Sequence, residues 1–439
     1  MRPFHASLPR RAAARLATCA LLALPLTASG EAEPPTAGAP GGAGLALVAR
    51  KALVMPFEGP QVVDNAVVLV RDGRIEKVGT QARTEIPAGY EVRDLGDRGV
   101  MPGMIDLHSH IGGSMGDIND MVLLTNPELR AVTAVIPDNP NLQRAIAAGV
   151  TTILFIPGSG TNSSGQGVLM KTAPGTFDEI VVDLPGSLKV AQWGNPERWA
   201  IGVGKTMENY HLRTMFRRGF AYAQRWEDFE AGKGPEPEKD IQWEPFRAMK
   251  TGEVEMSVHT QVYQVVLATI TMLKGEFDLN VYTDHSTIGG WMAAPVAEKM
   301  GVPAIVGPRQ IDPPGAGWVG ATPTYDRIQG TAAGWQEGGQ SMIGFNTDAP
   351  VLPQEELPLQ AAVAVRYGFE VRNLDNVRGL TIVPAIVGGL ADRLGSLEPG
   401  KHADIVVLTG DPTDPRTAVD YVFVEGRVAY DAVHERRRF

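Results

Sequence analysis

The chain has a single cysteine, Cys19, in 439 residues. One thiol excludes an intrachain disulfide and a thiolate metal site. Histidine is scarce as well, at eight residues, so imidazole chemistry has few places to come from. No internal repeat with a period of roughly 20–50 residues stands out, which gives a solenoid no support. The Gly-rich stretch "PGSGTNSSGQG" at 157–167 lacks the Gly-Lys-Ser/Thr ending of a phosphate loop. It reads instead as a loop that lines a pocket mouth and positions substrate. Cationic surface is also lacking: 50 acidic residues outnumber 40 basic ones, for a net charge of −10. Nucleic acid and anionic lipid are poor partners for such a chain. The basic run at 436–438 is too short to change that and reads as a solvated tail.

What is present is a globular composition. At 44% hydrophobic and 21% charged residues, the chain can bury a large core, as one barrel with an appendage or as two or three domains. Residues 1–30 stand apart. Arg2, Arg10, Arg11 and Arg15 precede the apolar, small-residue run "LATCALLALPLTASG", the layout of a secretory signal peptide. The run is shorter than the ~20 residues a membrane span needs. Cleavage near Ala28–Gly30 would remove four arginines and no acid, taking the net charge from −10 to −14. The expectation is a periplasmic or secreted protein with no membrane attachment after cleavage. Residues 31–44, rich in Pro, Gly and Ala, read as a linker.

Short β-like runs follow over 45–102 and return over 386–434, with hairpin signals at Arg71-Asp72-Gly73 and Glu425-Gly426-Arg427. Their shared texture predicts one discontinuous β-domain built from both ends. Between them, over 103–385, apolar runs alternate with helical stretches, the pattern of parallel strands buried on both faces. Seven or eight such units fit a (β/α)8 TIM barrel; a doubly wound open sheet fits the same spacing. The helical stretch 206–231 carries Tyr210, Phe216, Phe220, Tyr222 and Trp226, which suit core packing at least as well as a substrate lid.

The chemistry concentrates at strand ends. In "GMIDLHSH", His108 and His110 are two apart and share one face of a strand, with Ser109 on the other. His259 in "EMSVHT", His285 in "VYTDH" and Asp348 in "GFNTD" end apolar runs in the same way. A lone histidine at a strand end is ordinarily a hydrogen-bonded core residue. Five polar groups at successive strand ends converge on one barrel mouth, where such folds keep their active sites. Four imidazoles and a carboxylate suit a divalent cation, zinc first among them. Asp106 and Asp284 adjoin these positions and point away from them or support them. His5, His211, His402 and His434 receive no role.

With those motifs in place, the chain resembles the amidohydrolase superfamily, in its imidazolonepropionase-like bacterial branch. "VMPGMIDLHSH", "AAGVTTILFIPG", "SVHT", "TDH", "NTD" and the closing "GSLEPGKHADIVVLTGDP" carry the resemblance. It implies a metal-bearing TIM barrel with a β-sandwich built from both chain ends. It implies metal-assisted hydrolysis of amide or cyclic C–N bonds in a small molecule or short peptide, with Asp348 as acid/base and possible ligand. One or two ions are left open. Binuclear members take a bridging carboxylate or carboxylated lysine from a middle strand; Lys171, Lys189 or neither fills that place. Where similar proteins carry a Glu, a second His with an Arg, and another His, this chain has Gly194, Gln261 with Val262, and Ala349. These departures support an alternative: a catalytically impaired member that serves as partner subunit of an active paralogue. A homo-oligomer and such a heteromer both stay open.

Overall fold

The computed structural model describes residues 44–120, 123–192, 204–250, 252, 254–313 and 328–434. The expected signal peptide, the linker up to residue 43, Gly194 and the basic tail at 436–438 lie outside the described residues.

The strands, in chain order, are β1 Leu45–Leu53, β2 Val62–Arg71, β3 Arg74–Thr80, β4 Glu91–Asp94, β5 Gly99–Pro102, β6 Met104–Ser109, β7 Val150–Phe155, β8 Ser163–Lys171 and β9 Val181–Ala191. They continue with β10 Met256–Thr260, β11 Val281–His285, β12 Ala304–Val306, β13 Ile311–Asp312, β14 Gln329–Gly330, β15 Ile343–Phe345, β16 Ile405–Leu408, β17 Val419–Val424 and β18 Arg427–Asp431. Two eight-stranded sheets account for all but the β13–β14 pair.

One sheet draws its strands from both ends of the chain, in the order β18-β17-β16-β5-β1-β2-β3 with β4 beside β1. The two expected hairpins are there. Asp72 and Gly73 have φ of 50° and 75°, and Glu425 and Gly426 have 50° and 73°, the left-handed pair that a two-residue hairpin turn requires.

The other sheet is barrel-like, in the order β15-β12-β11-β10-β9-β8-β7-β6. It is nearly closed by a single parallel bridge between Ser109 and Ala349. Within each strand, neighbouring residues serve opposite faces. Val190 and Val258 join a core with Leu212, Phe216, Val266 and Ile270 of the surrounding helices, while Lys189 and His259 take the other face. Of the aromatics on the helix Lys205–Glu230, Phe216 and Phe220 pack with Phe246 and Phe277, so these two serve packing.

One strand departs from a run of repeated β/α units. β8 runs antiparallel to both β7 and β9. A parallel return needs a crossover of roughly a dozen residues or more, and the 156–162 link is too short to supply it. The second part of the Gly-rich stretch read as a loop is therefore strand: Ser163–Gly167 lies in β8.

Candidate metal centre

The five predicted residues meet at one end of the barrel sheet, each at or just beyond the C-terminal end of its strand. His108 is held on both sides by carboxylates, its Nδ1 3.2 Å from Asp284 Oδ2 and its Nε2 3.3 Å from Asp348 Oδ1. His110 Nε2 is 3.2 Å from Asp348 Oδ1, and His285 Nε2 is 4.0 Å from Asp348 Oδ2. His259 Nδ1 lies 2.8 Å from His285 Nε2. The ring of His108 is 4.4 Å from that of His285, 5.2 Å from His110 and 6.5 Å from His259, centroid to centroid. All four histidines are buried. Ser109 turns the other way, donating to Gln354 Oε1 at 2.7 Å, as strand alternation requires.

The backbone at these positions is itself unusual. His285 and Asp348 have φ of 61° and 51°, the left-handed region that few non-glycine residues occupy and that His and Asp tolerate best. Such conformations persist only where the surroundings fix them, and they gather at functional sites.

The hydrogen bonds set the histidine tautomers. His110 Nδ1 donates to Ile156 O at 2.8 Å and His285 Nδ1 donates to Gly307 O at 2.8 Å. Each ring therefore presents the lone pair of Nε2 to the cluster, the form a cation binds. Electrostatics agree. Burial lowers His110, and His259 well below its usual value, and takes His285 down to about 4. Burial and Lys189 oppose protonation of His108 too, but Asp284 and Asp348 outweigh them and raise it. Burial alone would raise the Asp348 carboxyl, yet His108, His285 and His110 hold it well below the carboxylate range.

The donor set fits a divalent cation. His108, His259 and His285 offer ligand atoms within 4.8 Å of one another, and so do His108, His110 and Asp348. The two groups share His108, the imidazole that two carboxylates press to carry positive charge. A cation held there would take the place of that proton, the usual coupling of metal binding to deprotonation.

The two candidate lysines separate. Lys189 is fully buried with Nζ 3.2 Å from His108 Nε2. Burial lowers it to about 8, against the pull of Asp284 and Asp348. Lys171 points elsewhere, into a buried ion pair with Asp404. Of the departures, Ala349 contributes main chain, its carbonyl accepting from His110 N at 2.8 Å, and Val262 packs with Val265 and Ile288. Asp284 and Asp106 both have supporting places: Asp284 on His108 and Ser257, Asp106 on Thr347 and Gln354. Ser159, whose hydroxyl is 2.8 Å from His259 Nδ1, carries no signal in the sequence beyond its place in the Gly-rich segment.

Comparison with known proteins points the same way. The model of the amidohydrolase family matches residues 335–429. The chain is 27% identical over 401 residues to the amidohydrolase tasK of Hapsidospora irregularis, across 83% of this chain and 40% of that protein. It is 29% identical over 158 residues to an imidazolonepropionase of Klebsiella pneumoniae, across 31% of this chain and 38% of that protein. The matched stretches thus span about two-fifths of these curated relatives' own length. Among solved structures, an amidohydrolase from Thermotoga maritima superposes with a TM-score of 0.77 at 28% identity, over 88% of this chain and all of that one. A prolidase complexed with N-methylphosphonate-L-proline shares the fold, with a TM-score of 0.52 at 16% identity, over 88% of this chain and 99% of that one.

Proposed function

We propose, on its likeness to amidohydrolases, that the chain belongs to the amidohydrolase superfamily and is a metal-dependent hydrolase of amide or cyclic C–N bonds in a small molecule or short peptide. The observation that carries the reading is the pair of ligand groups sharing His108, with the Asp348 carboxylate within 4.0 Å of His108, His110 and His285. A divalent cation held by these residues, zinc first among candidates for so imidazole-rich a set, supplies a water acidified toward neutral pH and a polarised substrate carbonyl.

The chain's own residues do the rest. His110 and His285 hold their lone pairs inward through their bonds to Ile156 and Gly307. Asp284 orients His108. Asp348, ionised and partly open to solvent, accepts the proton of the attacking water and later delivers it to the departing nitrogen. In this reading the sheet of β1–β5 and β16–β18 is the discontinuous β-sandwich that accompanies the barrel, and Lys189 is the candidate for a bridging group between two cations. We also infer export to the periplasm or medium, on the composition of residues 1–30; the N-terminus of the mature protein tests it. Among the described residues, no helix is long and apolar enough to cross a membrane.

The test is metal analysis of purified protein, followed by a metal-loaded activity screen over dipeptides, N-acyl amino acids, hydantoins and lactams. Asp348→Asn serves as the inactive control. Failure to hold Zn, Mn, Fe or Ni after metal addition overturns the reading. A second reading rests on Gln261, Val262 and Ala349: an impaired subunit that supports an active paralogue. Co-purification of a similar chain, with no turnover by the isolated one, selects it.

A further inference from the structure

We infer that Ser159 is a catalytic residue of this site, its hydroxyl donating a hydrogen bond to the substrate oxygen on which negative charge develops during hydrolysis. The inference rests on the metal-dependent reading above and adds a residue to it.

Ser159 is buried, and the loop that carries it is tied down on both sides. Gly158 N donates to Ile118 O at 2.7 Å, and Gly160 N donates to Asn119 Oδ1 at 2.8 Å. Asn162 Nδ2 adds a third tether, to Ala191 O at 2.6 Å. The first contact is so close that a Cβ on residue 158 would lie 2.4 Å from Ile118 Cγ2, so glycine is needed there. Ile118 and Asn119 also line a cavity of about 410 Å³ bounded by Phe155, Pro157 and Ser164. Ser159 therefore meets His259 from a loop fixed by three hydrogen bonds, with its neighbour Pro157 on the border of that cavity. Donors held in advance, and not recruited during reaction, are the ones that stabilise a developing oxyanion well.

Its present partner is one it has to give up. His259 Nδ1 has two neighbours at 2.8 Å, Ser159 Oγ and His285 Nε2, but a ring nitrogen offers only one lone pair or one N–H. Once that lone pair goes to a cation, the Ser159 hydroxyl has no other hydrogen-bond partner among the described residues. The N–H groups of His110 and His285 point away, into Ile156 O and Gly307 O. Ser159 is left as an uncommitted neutral donor beside the reacting centre, and a substrate oxygen is what it can accept as partner.

The experiment uses full-length protein loaded with cobalt(II), with methylphosphonate as a tetrahedral oxyanion probe. Cobalt stoichiometry and visible absorption report the ligands; calorimetry reports probe affinity. Ser159→Ala is expected to keep both cobalt readouts and to bind methylphosphonate about tenfold more weakly, the scale of a hydrogen bond to a charged group. Ser159→Thr is expected to restore the affinity. Equal affinity in Ser159→Ala overturns the inference while leaving the metal-dependent reading intact. Loss of cobalt from Ser159→Ala also overturns it, since the serine then only orients His259. Unaltered protein that holds cobalt but not the probe overturns it as well. Unaltered protein that takes up no cobalt sinks the metal-dependent reading first, and this inference with it.

Discussion

Asp106 and Thr347 are joined across the seam where the barrel sheet closes: Asp106 Oδ2 accepts from Thr347 N at 3.0 Å and from Thr347 Oγ1 at 2.7 Å. The same oxygen accepts from Gln354 Nε2 at 2.7 Å, and Oδ1 accepts from His108 N at 2.9 Å. The seam has only one ladder bridge, Ser109 with Ala349, so this carboxylate is a main tie between the strand of His108 and the strand that leads to Asp348. Burial pushes it up to about 6 against those hydrogen bonds. Asp106→Asn keeps the shape but leaves buried donors short of an acceptor, at a cost of about 2–3 kcal/mol. Thr347→Val removes one donor and also the acceptor of Ala349 N and Gln354 Nε2, and costs about 2 kcal/mol. Urea midpoints measure both, and equal stability of Asp106→Asn and the unaltered protein refutes the tie.

A metal held by the His108 cluster would add to stability, because the folded site exists only in the native chain. At a thousand times its dissociation constant a ligand adds about 4 kcal/mol, which for a chain of this size is a rise of about 5 °C in melting temperature. Chelation is expected to lower the melting temperature by that order. In His285→Ala the difference between metal-loaded and chelated samples should largely disappear. A chelator response that survives this substitution places the stabilising ion somewhere else.

How much of this was open to reading beforehand depended on whether the cause was local. Strand alternation put His108 and His110 on one side, and the apolar runs ending in His259, His285 and Asp348 marked strand ends. Direction was less accessible. "SSGQGVLMK" in β8 opens on small residues, and only the shortness of the preceding link makes the strand antiparallel. The lysines were undecidable for a different reason. Both sit in strands, but which one enters the site follows from the pairing of Lys189 with Ser257, while Lys171 is claimed by Asp404, far away in sequence. Asp106 and Asp284 each adjoin a histidine, and their different partners, Thr347 and His108, are set by the closing of the sheet.

Glu255 gives the protein a pH dependence separate from the site. It directly precedes β10, and burial pushes its carboxyl up to about 7. The folded chain thus holds this proton more tightly than the unfolded chain, whose glutamates titrate near ~4.3. Its contribution to stability is greatest below that range, falls as pH rises toward 7, and is constant and unfavourable above. Glu255→Gln is expected to raise the urea midpoint at about pH 8 and to leave it nearly unchanged at about pH 4. Equal gains at both pH values contradict the assignment.

Lys171 and Lys189 should respond to the same substitution in opposite ways. Lys171 is paired with Asp404 in a buried ion pair, and Asp404 also accepts from Glu425 N at 3.0 Å. Lys171→Met strands a buried carboxylate and is expected to cost about 3 kcal/mol, with metal stoichiometry unchanged. Lys189 lies in the cluster, and burial lowers it to about 8, so a useful fraction of it is neutral amine near neutral pH. The amine can add carbon dioxide, forming an N–C bond and releasing one proton, to become a carboxylate beside His108. Lys189→Met removes a cation whose burial outweighs the pull of Asp284 and Asp348, so its folding cost is expected to be smaller than that of Lys171→Met. If Lys189 bridges two ions, that variant retains stability but loses metal. A carbamate carbon signal from carbon-13 bicarbonate should be present in unaltered protein and in Lys171→Met, and absent in Lys189→Met. Full metal content in Lys189→Met, with no carbamate signal in any of the three, assigns the lysine to holding His108 alone and leaves a mononuclear site.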